Sequence, residues 1–245
     1  MDLKLKVAIM TDVHGNAPAL RAVLNDIDSQ PGIEHTYCLG DMIAIGPDTN
    51  QVLDILFSRQ DISMILGNHE DAVLAVLAGR EPGSPGTERV HHFWVAKCIE
   101  PRFASALRQL PRKLVREHGD QRLLLLHYHE NDGRLQAVDR EPSVERLEAM
   151  YCNSGAQAVC FGHHHPRHFF RSPARVYVNP GSLGCYHLPL ARYAVLHCGS
   201  GRVTVEMKEI PYENRDFLAS YERLHVPAAD FIIRTFHGNQ RPASR

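Results

Sequence analysis

Short apolar runs alternate with stretches of helical period through the first third of the chain. Lys6–Met10 is apolar and rich in β-formers, which predicts a buried strand. Ala17–Ile27 places Leu20, Val23, Leu24 and Ile27 on one face of a helix, and Ser29-Gln30-Pro31-Gly32 stops it. The same pairing recurs as a strand over His35–Leu39 and a helix from an Asp48 N-cap to Leu56. It recurs again as a strand over Asp61–Leu66 and a helix over Asp71–Ala78. Strands alternating with helices predict an α/β fold with parallel pairing and right-handed crossovers. Thr87–Leu110 is helical with a break at Pro101, and it holds the single tryptophan, Trp94, beside His91 and His92. Residues 80–111 therefore read as a helical insertion, either a partial lid over one rim or two helices packed on the sheet.

The second half is richer in strands. Lys113–Glu117 and Arg122–Leu126 bracket Gly119-Asp120 as a hairpin, and Leu123–Leu126 is apolar throughout, as a strand buried on both faces would be. A helix is expected over Ser143–Tyr151, a buried strand over Gln157–Phe161, and short strands over Arg167–Arg171 and Arg175–Val178. Asn179–Gly184 is a tight loop. Tyr193–His197 and Val203–Ile210 form a second hairpin turned at Gly199-Ser200-Gly201, and Tyr212–Leu224 is a helix. A short helix near Phe231 and a frayed end from Gly238 complete the pattern. There is no internal repeat, and the whole of 1–245 reads as one domain.

The polar residues that interrupt this pattern fall in one kind of place. Asp12 and His14, Asp41, Asn68 and His69, His127, and His163 with His165 each stand just past a hydrophobic run, beside a glycine or a loop. Extended backbone would point Asp12 and His14 to the same side. An α/β sheet gathers strand carboxyl ends on one edge, where ligands bind. Imidazole nitrogen with carboxylate and carboxamide oxygen suits Mn, Fe, Zn or Ni better than Ca²⁺ or Mg²⁺, which prefer oxygen alone. Asp12, His14, Asp41, Asn68, His127, His163 and His165 are too many groups for one ion, and two ions sharing a carboxylate fit them.

Composition narrows the classes. A formal net charge of -1 provides no global field for nucleic acid or an anionic membrane, so no stable nucleic-acid partner is expected. No apolar run approaches the ~20 residues of a membrane span, and no leader peptide is visible at the N-terminus. The six cysteines include no C-x-x-C pair and read as reduced, mostly core residues, which suggests the cytoplasm. Histidine is the unusual count, at 16. His35, His118, His168, His197, His225 and His237 read as ordinary surface or core histidines, whereas His129 and His187 are candidates to line the cleft.

Five of these segments, in order, resemble the motifs of the calcineurin-like metallophosphoesterase superfamily. They are Asp12-x-His14, Gly40-Asp41, Gly67-Asn68-His69-Glu70, the strand-end His127, and Gly162-His163-x-His165. Asn179-Pro-Gly-Ser182 and the Ala191-Arg-Tyr-Ala-Val segment further resemble a bacterial and archaeal phosphodiesterase subgroup. The resemblance implies a two-layer β-sandwich core flanked by helices. It implies one metal on Asp12, His14 and His165, a second on Asn68, His127 and His163, and Asp41 bridging them. It implies hydrolysis of a phosphodiester by a water or hydroxide bridging the ions, Mn or Fe foremost, with His69 acting on phosphoryl or leaving-group oxygen and Asn68 also contacting substrate. The alternatives are a phosphomonoesterase or protein phosphatase of the same chemistry, or a non-catalytic metal-binding scaffold.

Two departures from the family pattern stand out. His164 occupies the place of a small residue, and either points away from the metals or competes for one. Tyr128-His129 stand where the subgroup commonly has glycine; the strand-end position favours His127 over His129 as ligand. Glu70 reads as a charge in the first turn of a helix.

Overall fold

The computed structural model describes residues 5–199 and 201–240. Its strands form two five-stranded sheets. The first contains β1 (Leu5–Met10), β2 (Ile33–Cys38), β3 (Ile62–Met64), β11 (Leu190–Gly199) and β12 (Arg202–Pro211), in the order β12-β11-β1-β2-β3. The second contains β4 (Lys113–His118), β5 (Gln121–Leu126), β8 (Ala158–Cys160), β9 (His168–Arg171) and β10 (Val176–Asn179), in the order β4-β5-β8-β10-β9. β1, β2 and β3 run parallel, as do β5, β8 and β10, while β11 and β12 in the first sheet and β4 and β9 in the second pair antiparallel.

The period-two patterning of each central strand explains why the sheets stack. Val7 and Ile9 of β1 face the second sheet, where they meet Leu123, Leu125, Cys160, Val176 and Val178. Ala8 and Met10, on the other face, pack under Leu20, Val23 and Leu24 of α1 (Ala17–Ser29) and Val52, Leu53 and Leu56 of α2 (Thr49–Phe57). Tyr177, Val159 and Leu126 turn outward from the second sheet onto Leu147 of α6 (Val144–Tyr151). Each such buried aliphatic side chain contributes on the order of 2 kcal/mol, and with both faces covered the strands read as continuous apolar runs. The sandwich implied by the resemblance is the observed architecture.

Several elements differ from the sequence reading. α3 spans Asn68–Leu77, three residues earlier than the apolar period suggested, because the Glu70 carboxylate accepts the Gly67 N–H at 2.8 Å and closes the first turn. Residues 80–111 form α4 (Gly86–Cys98) and α5 (Pro101–Leu107); Val95, Ile99, Phe103 and Leu107 pack into the core outside the first sheet. A two-stranded hairpin, β6 (Glu130–Asn131) with β7 (Arg134–Leu135), lacks any hydrophobic signature. At the end come α7 (Arg215–Arg223) and α8 (Ala229–Phe236), anchored through Phe217, Tyr221, Ile232 and Ile233 on Ile45 and Cys185. Ser200 in the expected hairpin turn, and residues 241–245 of the expected frayed end, lie outside the described residues. No helix among the described residues is long and apolar enough to cross a membrane.

Candidate metal centre

The parallel strands of both sheets deliver their carboxyl ends to one rim, and the loops there are laced together by backbone bonds. Asp12 N donates to Gly40 O at 3.1 Å, Gly162 N to His127 O at 2.7 Å, and Gly184 N to Asp12 O at 3.0 Å. Asp12, His14, Asp41 and His163 all adopt left-handed φ, between 48° and 64°. Asp12 and His14 therefore do not sit on extended backbone, as their spacing suggested, but on left-handed backbone at both positions. Non-glycine residues occupy this region at a cost that surrounding structure must hold in place, and such residues cluster at functional sites. Glycine is required opposite them: a Cβ on Gly162 would collide with Thr11 Oγ1 and lie 2.7 Å from Asp12 Oδ2.

The side chains these loops present fall into two groups. In the first, His14 Nε2 and His165 Nε2 are 3.0 Å apart, and each is 3.7 Å from Asp12 Oδ1. His14 Nδ1 faces Ile43 O at 3.3 Å, which turns its other nitrogen into the cluster. In the second, His127 Nε2 lies 3.0 Å from Asn68 Oδ1 and 3.1 Å from Asp41 Oδ2. His127 Nδ1 donates to Leu39 O at 2.7 Å, and the His163 ring is 5.2 Å from that of His127. Asp41 stands between the groups, since its carboxylate lies within 4.8 Å of ligand-capable atoms of His14 and His69 in one cluster and of His127 and His163 in another. Histidine ligands commonly bond the backbone through the nitrogen not offered to a metal, so these donors fit metal ions.

The electrostatics are those of a buried cluster. Burial opposes the charge on His127, but the Asp41 carboxylate overrides it and pushes the imidazole up to about 10. Burial raises the Asp12 carboxyl to about 7. Burial lowers His165 to about 3 and holds His14 well below its ordinary value, so both offer neutral imidazole. Cys185 Sγ stands close to His14 and His165, where burial pushes its thiol up and keeps it protonated.

His69 sits over the cluster, 9% exposed, with Nε2 3.9 Å from Asp41 Oδ2 and its own N–H donated to Asp41 Oδ1 at 2.9 Å. Its Nδ1 meets His92 Nε2 at 2.7 Å, and His92 Nδ1 meets Ser84 Oγ at 2.7 Å. Burial lowers His92 to about 3, so it stays neutral, with one ring nitrogen donating and one accepting.

Other residues have structural roles that the sequence did not reveal. Fully buried, the Glu70 carboxylate accepts from the backbone N–H groups of Asp41, Met42, Ile43 and Gly67 at 2.8, 2.8, 3.1 and 2.8 Å. Beneath His165, Arg192 donates to the carbonyls of His165 at 2.9 Å and Ser182 at 3.2 Å. The Asn179–Gly184 loop is more than a turn. Asn179 Nδ2 donates to His164 O at 2.6 Å, and Ser182 Oγ to Asp12 O at 2.8 Å.

Three candidates lie apart from the cluster. His164 turns its ring to His168, Nδ1 to Nε2 at 2.9 Å. His129 is buried between Tyr128 and Phe161, with Nδ1 2.8 Å from Tyr151 Oη under α6. Facing solvent, His187 packs at a tilt against its neighbour Tyr186, with ring centroids 4.1 Å apart.

A model of the calcineurin-like phosphoesterase superfamily domain matches residues 5–201. The chain belongs to the calcineurin-like phosphoesterase superfamily. Within it, 72 residues are 38% identical to an uncharacterized protein of Methanocaldococcus jannaschii, over 29% of each chain. Another match, 37% identical over 78 residues, is to the symmetrical bis(5'-nucleosyl)-tetraphosphatase of Pectobacterium atrosepticum, covering 31% of this chain and 28% of that enzyme. These matches thus span under a third of the relatives' lengths. Among solved structures, a hypothetical protein of Pyrococcus horikoshii OT3 aligns with TM-score 0.80 at 18% identity, over 96% of this chain and 98% of the other. A metallophosphoesterase of Sphaerobacter thermophilus aligns with TM-score 0.74 at 20% identity, over 94% and 98%. At those identities the likeness is one of fold.

Proposed function

We propose that this chain is a phosphodiesterase that works with two metal ions. Asp12, His14 and His165 would hold one ion, Asn68, His127 and His163 the other, and Asp41 both. The observation that carries this reading is Asp41, a buried carboxylate shared between two sets of ligand-capable atoms. The mixed nitrogen and oxygen donors favour Mn or Fe, with Zn or Ni as substitutes. Such a pair, when bound, supplies Lewis-acid polarisation of the phosphoryl group and an acidified water.

The chain's own residues then orient and protonate. Asp41 Oδ1 fixes the start of α3 by accepting the His69 N–H, which sets the His69 ring over the cleft floor. His92 occupies His69 Nδ1, leaving Nε2 as the face turned toward substrate. From there His69 can donate to a phosphoryl oxygen or to the departing alkoxide. The Asn68 amide lies at the cleft floor, where its NH₂ group can reach a phosphoryl oxygen.

The test is hydrolysis of bis-p-nitrophenyl phosphate and p-nitrophenyl phosphate by metal-stripped protein re-loaded with Mn²⁺. The diester should be turned over faster, and His69→Ala should lose turnover while keeping bound metal. Absence of hydrolysis with Mn²⁺, Fe²⁺, Zn²⁺ and Ni²⁺ in the metal-loaded protein would refute the enzymatic reading and leave a scaffold.

A further inference from the structure

The metal cluster forms only the floor of a larger cleft. The cavity measures about 540 Å³, within the range of small-molecule sites and far more than one phosphoryl group needs. Asp41, Asn68, His69, His163 and His165 line its base. One wall is the first turns of α4, from Pro85 to His91. The other runs from Pro227 to Phe236 along α8. α8 docks through Ile232 and Ile233, in a cluster against which Trp94 of α4 also packs.

Three features of these walls point to a ligand. Phe231 is 47% exposed although it lines the cavity, and Phe236 stands with its ring 5.7 Å from that of His165. Aromatic faces left open inside a cleft are stacking platforms. His91 is only 5% exposed, lines the same cavity, and has no hydrogen-bond partner on either ring nitrogen. The Pro227 carbonyl lies beside its ring without completing a bond, and the ring is otherwise held against Trp94 at 5.6 Å. A buried polar group left without a partner signals a missing one. Finally, no lysine or arginine lines the cavity among the described residues, and the one charged side chain on the walls is Glu88. Further phosphates would meet an acid there and no cation.

We infer that the space between α4 and α8 is a subsite for an uncharged aromatic group with hydrogen-bonding edges, of the nucleobase type. Phe231 and Phe236 of α8 form its stacking wall, and His91 is its hydrogen-bond partner. The substrate class is then a nucleoside phosphodiester with a single phosphoryl group on the floor, not a polyphosphate. This identification of the substrate rests on the phosphoesterase reading of the floor. A plain alkyl group would leave His91 unpaired, and a polyphosphate would leave Phe231 unused.

The single tryptophan gives a direct readout, because Trp94 carries His91. The full-length, Mn²⁺-loaded protein is titrated with thymidine 5'-phosphate and with tripolyphosphate while Trp94 fluorescence is followed. In parallel, kcat/KM is measured for the p-nitrophenyl ester of thymidine 5'-phosphate, for methyl p-nitrophenyl phosphate and for diadenosine tetraphosphate. The nucleotide should change Trp94 fluorescence saturably, and Phe231→Ala should weaken its binding at least about fivefold, the low end for loss of a stacking platform. Phe231 is exposed, so its truncation leaves the core intact. The preference for the nucleoside ester over the methyl ester should fall by a similar factor in Phe231→Ala and in His91→Ala, and the tetraphosphate should be the poorer substrate. Equal nucleotide affinity in wild type and Phe231→Ala, or preference for the tetraphosphate, overturns the subsite. Nucleotide binding as described with no ester hydrolysed overturns the phosphoesterase reading instead, and with it the identification of a substrate.

Discussion

Glu70→Gln is the substitution whose cost the structure sets most directly. Oε2 accepts from the N–H groups of Asp41 and Gly67, and Oε1 from those of Met42 and Ile43. Glutamine keeps the shape but replaces one oxygen with an NH₂ group. Whichever way the amide turns, two backbone donors then face a donor, in a site with no exposure to solvent. Each orphaned N–H costs about 1–3 kcal/mol, and the two remaining bonds lose their charge assistance. The sum is roughly 3–6 kcal/mol. For a chain of this size, 1 kcal/mol moves Tm by about 2–4 °C, so Tm should fall by roughly 10–20 °C. The assay is thermal and urea unfolding in excess chelator, because a bound ion would add its own stabilisation. Since Glu70 holds the loop that carries Asp41, hydrolysis by metal-loaded protein should fall as well. A Tm within about 2 °C of wild type would show that Glu70 does not organise the loop.

Other perturbations follow from the same geometry. His92→Ala frees the His69 ring without touching a metal ligand. It should lower kcat by roughly 10–100-fold with KM and metal content unchanged, and His92→Gln should recover part of the loss. Burial lowers His237 from 6.5 to about 4, where the neutral ring pairs with Tyr221 Oη at 2.8 Å. The unfolded chain therefore binds the extra proton, and stability is full above pH 6.5 and lost as pH falls toward 4, by up to about 3 kcal/mol. Unfolding free energies at pH 7.5 and 5 should show a smaller difference in His237→Asn than in wild type; an equal difference would contradict this account.

The legible part of the molecule was what hydrophobic period and residue chemistry encode. Val7 and Ile9 against Ala8 and Met10 show why β1 reads as a buried strand, and each polar residue just past such a run fell on the shared rim. What was hidden depends on backbone torsion and on contacts distant in sequence. Nothing in the letters of Asp12, His14, Asp41 or His163 announces left-handed φ, because neighbouring loops impose it. Glu70 looks like a helix-end charge until the loop after Asp41 folds over it. The four buried bonds then come from residues 27–29 positions away and from one nearby, Gly67. His129 reads as a cleft residue because it lies only three residues past the end of β5. Instead His129 turns under α6 toward Tyr151. α8 is short and follows Pro227 and a left-handed Ala228, so its pattern gave only a hint of a helix near Phe231 and none of its place on the cleft.

Counting bound ions decides whether Asp41 joins two metal sites. Metal-stripped wild type and Asp41→Asn would be equilibrated with Mn²⁺, freed of unbound ion, and assayed by elemental analysis together with bis-p-nitrophenyl phosphate hydrolysis. About two ions per wild-type chain are expected, with ions and hydrolysis lost together in Asp41→Asn. One ion or none in wild type, or two retained by Asp41→Asn with full hydrolysis, would contradict it.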